Sequence, residues 1–210
     1  MQLASLTSGQ VRFARTGVLG GTFDPPHLAH LVLAAAAREA LHLDRVVFVP
    51  AGEPWRKADR EVTPAELRFE MTVAAVEPYE WAEVSRIEID RGGPSYAAET
   101  MAALAADGAA WWFILGSDAL VDLPAWHEPL ALIAAARLAV SVRPPAEVSV
   151  PPETVAALPG IESRIDAVAM VSLDISSTDV RNRIRAGEST DVIVPEGVRA
   201  VVDRYSLYRS

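Results

Sequence analysis

The 210-residue chain contains no cysteine, which excludes disulfides, thiolate nucleophiles and cysteine-held zinc. It has no apolar run of about 18 residues, the length a membrane span needs; the stretch Leu31–Leu43 is interrupted by Arg38, Glu39 and His42. Met1–Arg15 lacks the apolar core of a signal peptide, so a cytoplasmic protein is expected. Positive charge is scarce. Nineteen Lys and Arg face 28 Asp and Glu, a formal net charge of −9. That balance argues against a general nucleic-acid binder, whose affinity comes largely from neutralising phosphates, and neither nucleic acid nor membrane is expected as a partner. A small anionic substrate stays compatible if the few cations gather at one place. G-x-G-x-x-G, the P-loop and His-Glu-x-x-His are absent too, which removes the common dinucleotide, nucleoside-triphosphate and zinc-hydrolase signatures.

What is present centres on Gly17–His30. The apolar pair Val18-Leu19 stops at Gly20-Gly21, a Pro-rich loop follows, and an Ala/Leu-rich segment then begins: strand, tight loop, helix. Pro25 and Pro26 suit the loop and the first helical position. His27 and His30, three apart, share a face of the first turn, beside free N–H groups and the positive end of the helix dipole. Such a terminus suits a phosphate chain. Two surface histidines on an ordinary amphipathic helix would produce the same letters, and zinc would need further ligands that the sequence does not offer nearby.

Strands and helices alternate along the chain. Strands are expected at Arg45–Pro50, Val84–Asp90, Trp111–Leu115, Leu138–Val142 and Ala167–Leu173. Helices are expected from about His27 to Leu41, from a capping box at Thr63-Pro-Ala-Glu66 to Val76, and at Ser95–Ala106, Leu130–Ala136, Ser176–Ala186 and Pro195–Arg204. Residues 1–10 are expected to fray, and 144–165 to form an irregular connection with at most a helical turn. The alternation predicts an α/β fold, a Rossmann-like doubly wound, mostly parallel sheet with helices on both faces. Ligands in such sheets bind at the carboxyl ends of strands. The chemically interesting segments, Gly20–His30, Pro54–Lys57, Gly116–Asp118 and Ser176–Arg181, all follow strands.

Gly20-Gly-Thr-Phe-Asp-Pro-Pro-His-Leu-Ala-His30 resembles the G-G-T-F-D-P-x-H-x-G-H signature of the nucleotidyltransferase superfamily, in the form carried by bacterial nicotinate-nucleotide adenylyltransferases. Ala29 stands where glycine is usual. Ile175-Ser-Ser-Thr-Asp-Val-Arg181, which read alone is a serine-capped helix start, resembles the I-S-S-T-x-x-R signature of the same superfamily. Pro54-Trp-Arg-Lys57, Pro94-Ser-Tyr-Ala97, Gly116-Ser-Asp118 and Leu123-Pro-Ala-Trp-His127 are similar to further family segments, with Ala97 in place of threonine and His127 in place of tyrosine. The resemblance runs from about Gly17 to Arg209 and implies one nucleotidyltransferase domain over 1–210, with a C-terminal helical part at 174–210.

That resemblance implies transfer of the adenylyl group of ATP to nicotinate mononucleotide. His27, His30, Lys57 and Arg181 would act on the phosphates. Gly20, Gly21, Thr22, Phe23, Gly116, Asp118, Ser176, Ser177 and Thr178 would bind ATP. Asp24, Tyr96, Ala97, Trp126 and His127 would bind the nicotinate nucleotide. Mg²⁺ would enter through the ATP phosphates, with no dedicated protein metal ligands, and a homo-oligomer is compatible. Nicotinamide mononucleotide or phosphopantetheine as acceptor, and a non-catalytic adenine-nucleotide sensor, are the competing readings.

Overall fold

The computed structural model describes residues 15–55, 61–105, 109–142, 148–171 and 173–209. Six strands, β1 (Arg15–Gly21), β2 (Arg45–Pro50), β3 (Ala82–Val84), β4 (Ala110–Leu115), β5 (Arg137–Val142) and β6 (Ile165–Ala169), form one sheet in the order β3-β2-β1-β4-β5-β6. Every neighbouring pair is parallel. The chain builds outward from β1 to β3, then crosses back to place β4 on the other side of β1. The order of strands therefore reverses between β1 and β4, where a crevice opens at the carboxyl ends.

The strands are apolar because helices cover both faces. Along β1, Leu19 faces one core with Phe48 and Met71, and Val18 faces the other with Val47 and Met101, the two-residue alternation of a pleated strand. On the first face lie α1 (Leu28–Leu41), α2 (Ala65–Val76), α8 (Ser177–Arg185) and α9 (Glu196–Arg204). On the second lie α4 (Ala97–Leu104), α5 (Ser117–Asp122) and α6 (Pro129–Ala135), with Leu158 just after α7 (Pro152–Ala157). The doubly wound, Rossmann-like sheet expected from the sequence is observed, and it is wholly parallel. No helix among the described residues is long and apolar enough to cross a membrane.

Several local expectations are corrected. Val84–Asp90 is not a strand: β3 ends at Val84, and Ile87–Arg91 forms the short helix α3. Both readings place Ile87 and Ile89 among polar neighbours, and over so few residues the alternation does not separate them. The last strand begins at Ile165, two residues before the expected Ala167, and ends at Ala169. Thr63 does not cap α2. Pro64 holds the cap position without a side-chain bond, and the Thr63 hydroxyl donates instead to Tyr208 at 3.3 Å. Residues 148–165 are more ordered than an irregular connection, containing α7 and a 3₁₀ turn at Ile161–Arg164. The expected fraying of residues 1–10 lies outside the described residues.

Candidate active site

The loop leaving β1 separates two hollows. The first is apolar, lined by Val18, Gly20–Thr22, Val49, Ala97, Phe113 and Trp126, among others. The second is polar, lined by Asp24, His27, His30, Ser176–Thr178 and Arg181 with Glu61, Val62 and Ile175. The sequence-predicted residues that line a hollow thus divide between two of them, and the others lie outside both.

In the polar hollow, His27 stands at the N-cap of α1 with extended backbone. Its backbone N–H donates to Nδ1 of His30 at 3.1 Å, and the two rings lie 3.8 Å apart at 32°. Because Nδ1 of His30 accepts, the neutral ring carries its proton on Nε2. Phe23 sets the other edge of that imidazole: it is 1% exposed, takes a left-handed φ of 51°, and meets His30 edge-on at 5.0 Å. Its ring folds back over Gly21, where a Cβ would come within 3.0 Å of it. Phe23 therefore reaches the site through its backbone and its packing.

His27 is 5% exposed. Burial pushes its pKa down to about 4, against a smaller upward pull from Asp179, so the ring is neutral near pH 7. Its Nδ1 is buried without a hydrogen-bond partner. The histidine pair is thus not two positive charges, as a polyanion site might suggest. His27 offers a neutral ring with an unused nitrogen. The helix terminus is also less open than the sequence suggests, since the Leu28 N–H donates to the Ile193 carbonyl at 2.9 Å and that of His30 to the His27 carbonyl at 3.0 Å.

Arg181 brings the cation. Nη1 donates to the Asp24 carbonyl at 2.7 Å and Nη2 to the Thr178 hydroxyl at 3.2 Å. Of the serines before it, Ser176 is the N-cap of α8 and accepts from the Asp179 N–H at 3.1 Å. The Ser177 hydroxyl donates to the Pro25 carbonyl at 2.9 Å, tying α8 to the β1 loop. Asp24 lies here, 4% exposed, and not in the apolar hollow with Ala97 and Trp126. Its carboxylate is engaged from within the protein: Tyr208 donates to Oδ1 at 2.6 Å and the Thr63 N–H to Oδ2 at 3.4 Å. Lys57 lies outside the described residues.

In the apolar hollow, Trp126 meets Phe113 edge-on, 6.0 Å between centroids at 89°, and its indole N–H is buried without a partner. Ala97 opens α4 on the same wall. Tyr96 and His127 do not line this space but stack on each other at 3.9 Å and 25°. Gly116 and Asp118 also line neither hollow. Gly116 is the N-cap of α5 and Asp118, exposed, stands in its first turn. They remain at the end of β4, beside β1.

Two buried charged residues at the site were not singled out from the sequence. Arg68, 1% exposed, donates to the carbonyls of Thr63, Thr22 and Gly52 at 2.7, 2.8 and 2.9 Å, joining the loops after β1 and β2 to the start of α2. Its signal was available: with Met71, Thr72, Ala75 and Val76 it follows the buried stripe of α2, a guanidinium where that face calls for an apolar group. Glu88 lines the apolar hollow and is 6% exposed. Burial raises its pKa, opposed by hydrogen bonding and by the nearby charges of Arg91 and Arg68; the Thr100 hydroxyl donates to it at 2.6 Å.

The donors of the polar hollow, imidazole, guanidinium and hydroxyl groups, suit phosphate oxygens. Among the described residues, no group of three His, Asp or Glu could hold a metal ion. The cytidylyltransferase-like family matches residues 18–183, a span that includes both signature segments. A probable nicotinate-nucleotide adenylyltransferase of Roseiflexus sp. (strain RS-1) is 41% identical over 197 residues, covering 93% of this chain and 98% of that one. One from Acidothermus cellulolyticus is 38% identical over 205 residues, 94% and 96% of the respective chains. The fold is similar to that of the Plasmodium falciparum nicotinic acid mononucleotide adenylyltransferase complexed with APC, with a TM-score of 0.69 at 15% identity over 93% of this chain and 97% of that one.

Proposed function

As the chain belongs to the nicotinate-nucleotide adenylyltransferases, we propose that it transfers the adenylyl group of ATP to nicotinate mononucleotide, giving deamido-NAD and pyrophosphate for NAD biosynthesis. ATP and nicotinate mononucleotide are its small-molecule partners, and the cytoplasm its compartment. The observation that carries the reading is the convergence of His27, His30, Ser176–Thr178 and Arg181 on one hollow beside the apolar one.

A phosphate oxygen of the mononucleotide attacks the α-phosphorus of ATP in line. The new P–O bond forms as the bond to the bridging oxygen breaks, and pyrophosphate carries away the electron pair. No protein nucleophile is needed, so catalysis is positioning and charge stabilisation. In this reading Nε2–H of His30 and the neutral ring of His27 donate to phosphate oxygens. Arg181 neutralises the departing pyrophosphate, joined by Lys57. The backbone of Gly20–Phe23 and the start of α8 at Ser176–Thr178 border the phosphates, and Gly116 and Asp118 hold adenosine. Trp126 stacks on the nicotinate ring and the backbone N–H of Ala97 holds its carboxylate, while Tyr96 and His127, stacked on each other outside the lining, support that site indirectly. Asp24 contributes by anchoring Arg181. The polar hollow presents donors to anions, which fits Mg²⁺ carried by the ATP phosphates themselves; the ion would supply further neutralisation of the triphosphate.

Pyrophosphate release from ATP with nicotinate mononucleotide, nicotinamide mononucleotide or phosphopantetheine tests the reading. The highest kcat/KM is expected for nicotinate mononucleotide, since specificity is differential transition-state binding. A higher value for another acceptor overturns the acceptor assignment. Silence with all three acceptors in folded protein favours the non-catalytic nucleotide sensor.

A further inference from the structure

Asp24 and Arg181 stand close without forming the pair that their chemistry favours. A guanidinium and a carboxylate in contact ordinarily make two parallel hydrogen bonds. Here Nη1 of Arg181 stops 4.0 Å from Oδ2 of Asp24 and donates instead to the backbone carbonyl of that residue at 2.7 Å. Tyr208, 184 positions later in the chain, takes Oδ1 at 2.6 Å. The Thr63 hydroxyl donates to the Tyr208 oxygen at 3.3 Å, so the phenol's own proton is directed to Asp24. Burial, with the charge of Asp24 adding to it, pushes the Tyr208 pKa well above the ordinary phenol value, and the group stays a donor throughout the working range.

We propose that Tyr208 is a positioning residue for Arg181: by holding the Asp24 carboxylate, it keeps the guanidinium from closing on that carboxylate and leaves it available to an anion in the hollow. The inference rests on the proposed phosphate role of Arg181. Without the phenol, Oδ1 of a buried carboxylate loses its donor, and the Arg181 guanidinium already stands 4.0 Å from the other oxygen, whereas the nearby Arg68 is held by the carbonyls of Thr63, Thr22 and Gly52. An arginine clamped by its own carboxylate is a weaker partner for pyrophosphate, because a carboxylate and a phosphate compete for the same fork of N–H groups.

The test uses the full chain as wild type, Tyr208→Phe, Asp24→Asn and the double variant, with inorganic pyrophosphate as the calorimetric probe and turnover measured separately. Tyr208→Phe is expected to weaken pyrophosphate binding about tenfold and to raise the KM for ATP in parallel, with the KM for nicotinate mononucleotide within twofold. Adding Asp24→Asn to Tyr208→Phe is expected to restore most of that affinity, since an amide cannot capture the guanidinium as a carboxylate does. A loss due only to damaged packing would deepen in the double variant. Unchanged pyrophosphate affinity in Tyr208→Phe, or no recovery in the double variant, overturns the inference. Thr63→Val, which removes the hydroxyl that orients the phenol, should give a smaller loss of the same kind, and serves if Tyr208→Phe does not fold; no loss in it then overturns the inference. Wild-type protein that binds pyrophosphate with this pattern but does not turn over would sink the proposed reaction and leave the positioning role standing.

Discussion

His30 is held by contacts from two neighbours: the His27 N–H on Nδ1, the His27 ring at 3.8 Å, and the Phe23 ring on its edge. A side chain fixed on so many sides presents one nitrogen in one direction, which is what a transition-state donor requires. Removing one such donor costs about 10²–10³ in rate. His30→Ala is therefore expected to lower kcat for pyrophosphate release by that factor or more while the far-ultraviolet spectrum and melting temperature stay close to wild type. Near-normal turnover would show that the ring does no work on the phosphates. The two histidines were legible in the sequence as a pair, but their division of labour was not. Charge state depends on burial, and burial of His27 is produced by residues far along the chain.

Between elements, α9 approaches α2 closely. A Cβ on Gly197 would stand 2.8 Å from the Ala74 carbonyl oxygen, backbone that cannot move without displacing α2. Gly197→Ala is expected to cost about 1–3 kcal/mol through this overpacking, read as a lowered urea midpoint with little change in slope. A variant as stable as wild type would mean that the helices can separate freely. The long apolar strands Arg45–Pro50 and Trp111–Leu115, and the Ala-rich helix after the signature, were legible because each carries its own period or an uninterrupted apolar run. Thr63-Pro-Ala-Glu66 was misleading for a physical reason: its letters match a capping box, but both side chains have distant partners. Thr63 reaches Tyr208, and Glu66 is paired with Arg86 at 2.7 Å. Local pattern loses where a long-range bond is available. The same reason hides α5, a single short turn-and-a-half after Gly116 that has too few residues to display a period.

For the molecule as a whole, two buried groups pull stability in opposite directions with pH. The folded-state pKa of His27 lies near 4, below its ordinary 6.5. The unfolded chain therefore binds the extra proton first, and stability is full above pH 6.5 and falls as pH drops toward 4, by up to roughly 3 kcal/mol. Glu88 has its pKa raised above 4.5 by burial, so its contribution is full below that value and is lost as pH rises through the raised one. Unfolding free energy measured against pH is expected to lose part of its acid-side decline in His27→Asn and part of its alkaline-side decline in Glu88→Gln. Parallel profiles for variant and wild type would mean that neither group is buried as described. The fold and the phosphate segments are legible in the sequence, but the roles of Arg68 and Tyr208 depend on partners distant along the chain. The segments are contiguous, whereas those two residues act across 46 and 184 positions. That last span has a consequence for synthesis. A ribosome delivers the glycine loop and the histidines first and the guanidinium at 181 much later, but the phenol that keeps it free comes later still. The phosphate-facing groups are usable only once that last stretch has folded back on Asp24, so competence arrives in a late step and not in proportion to length.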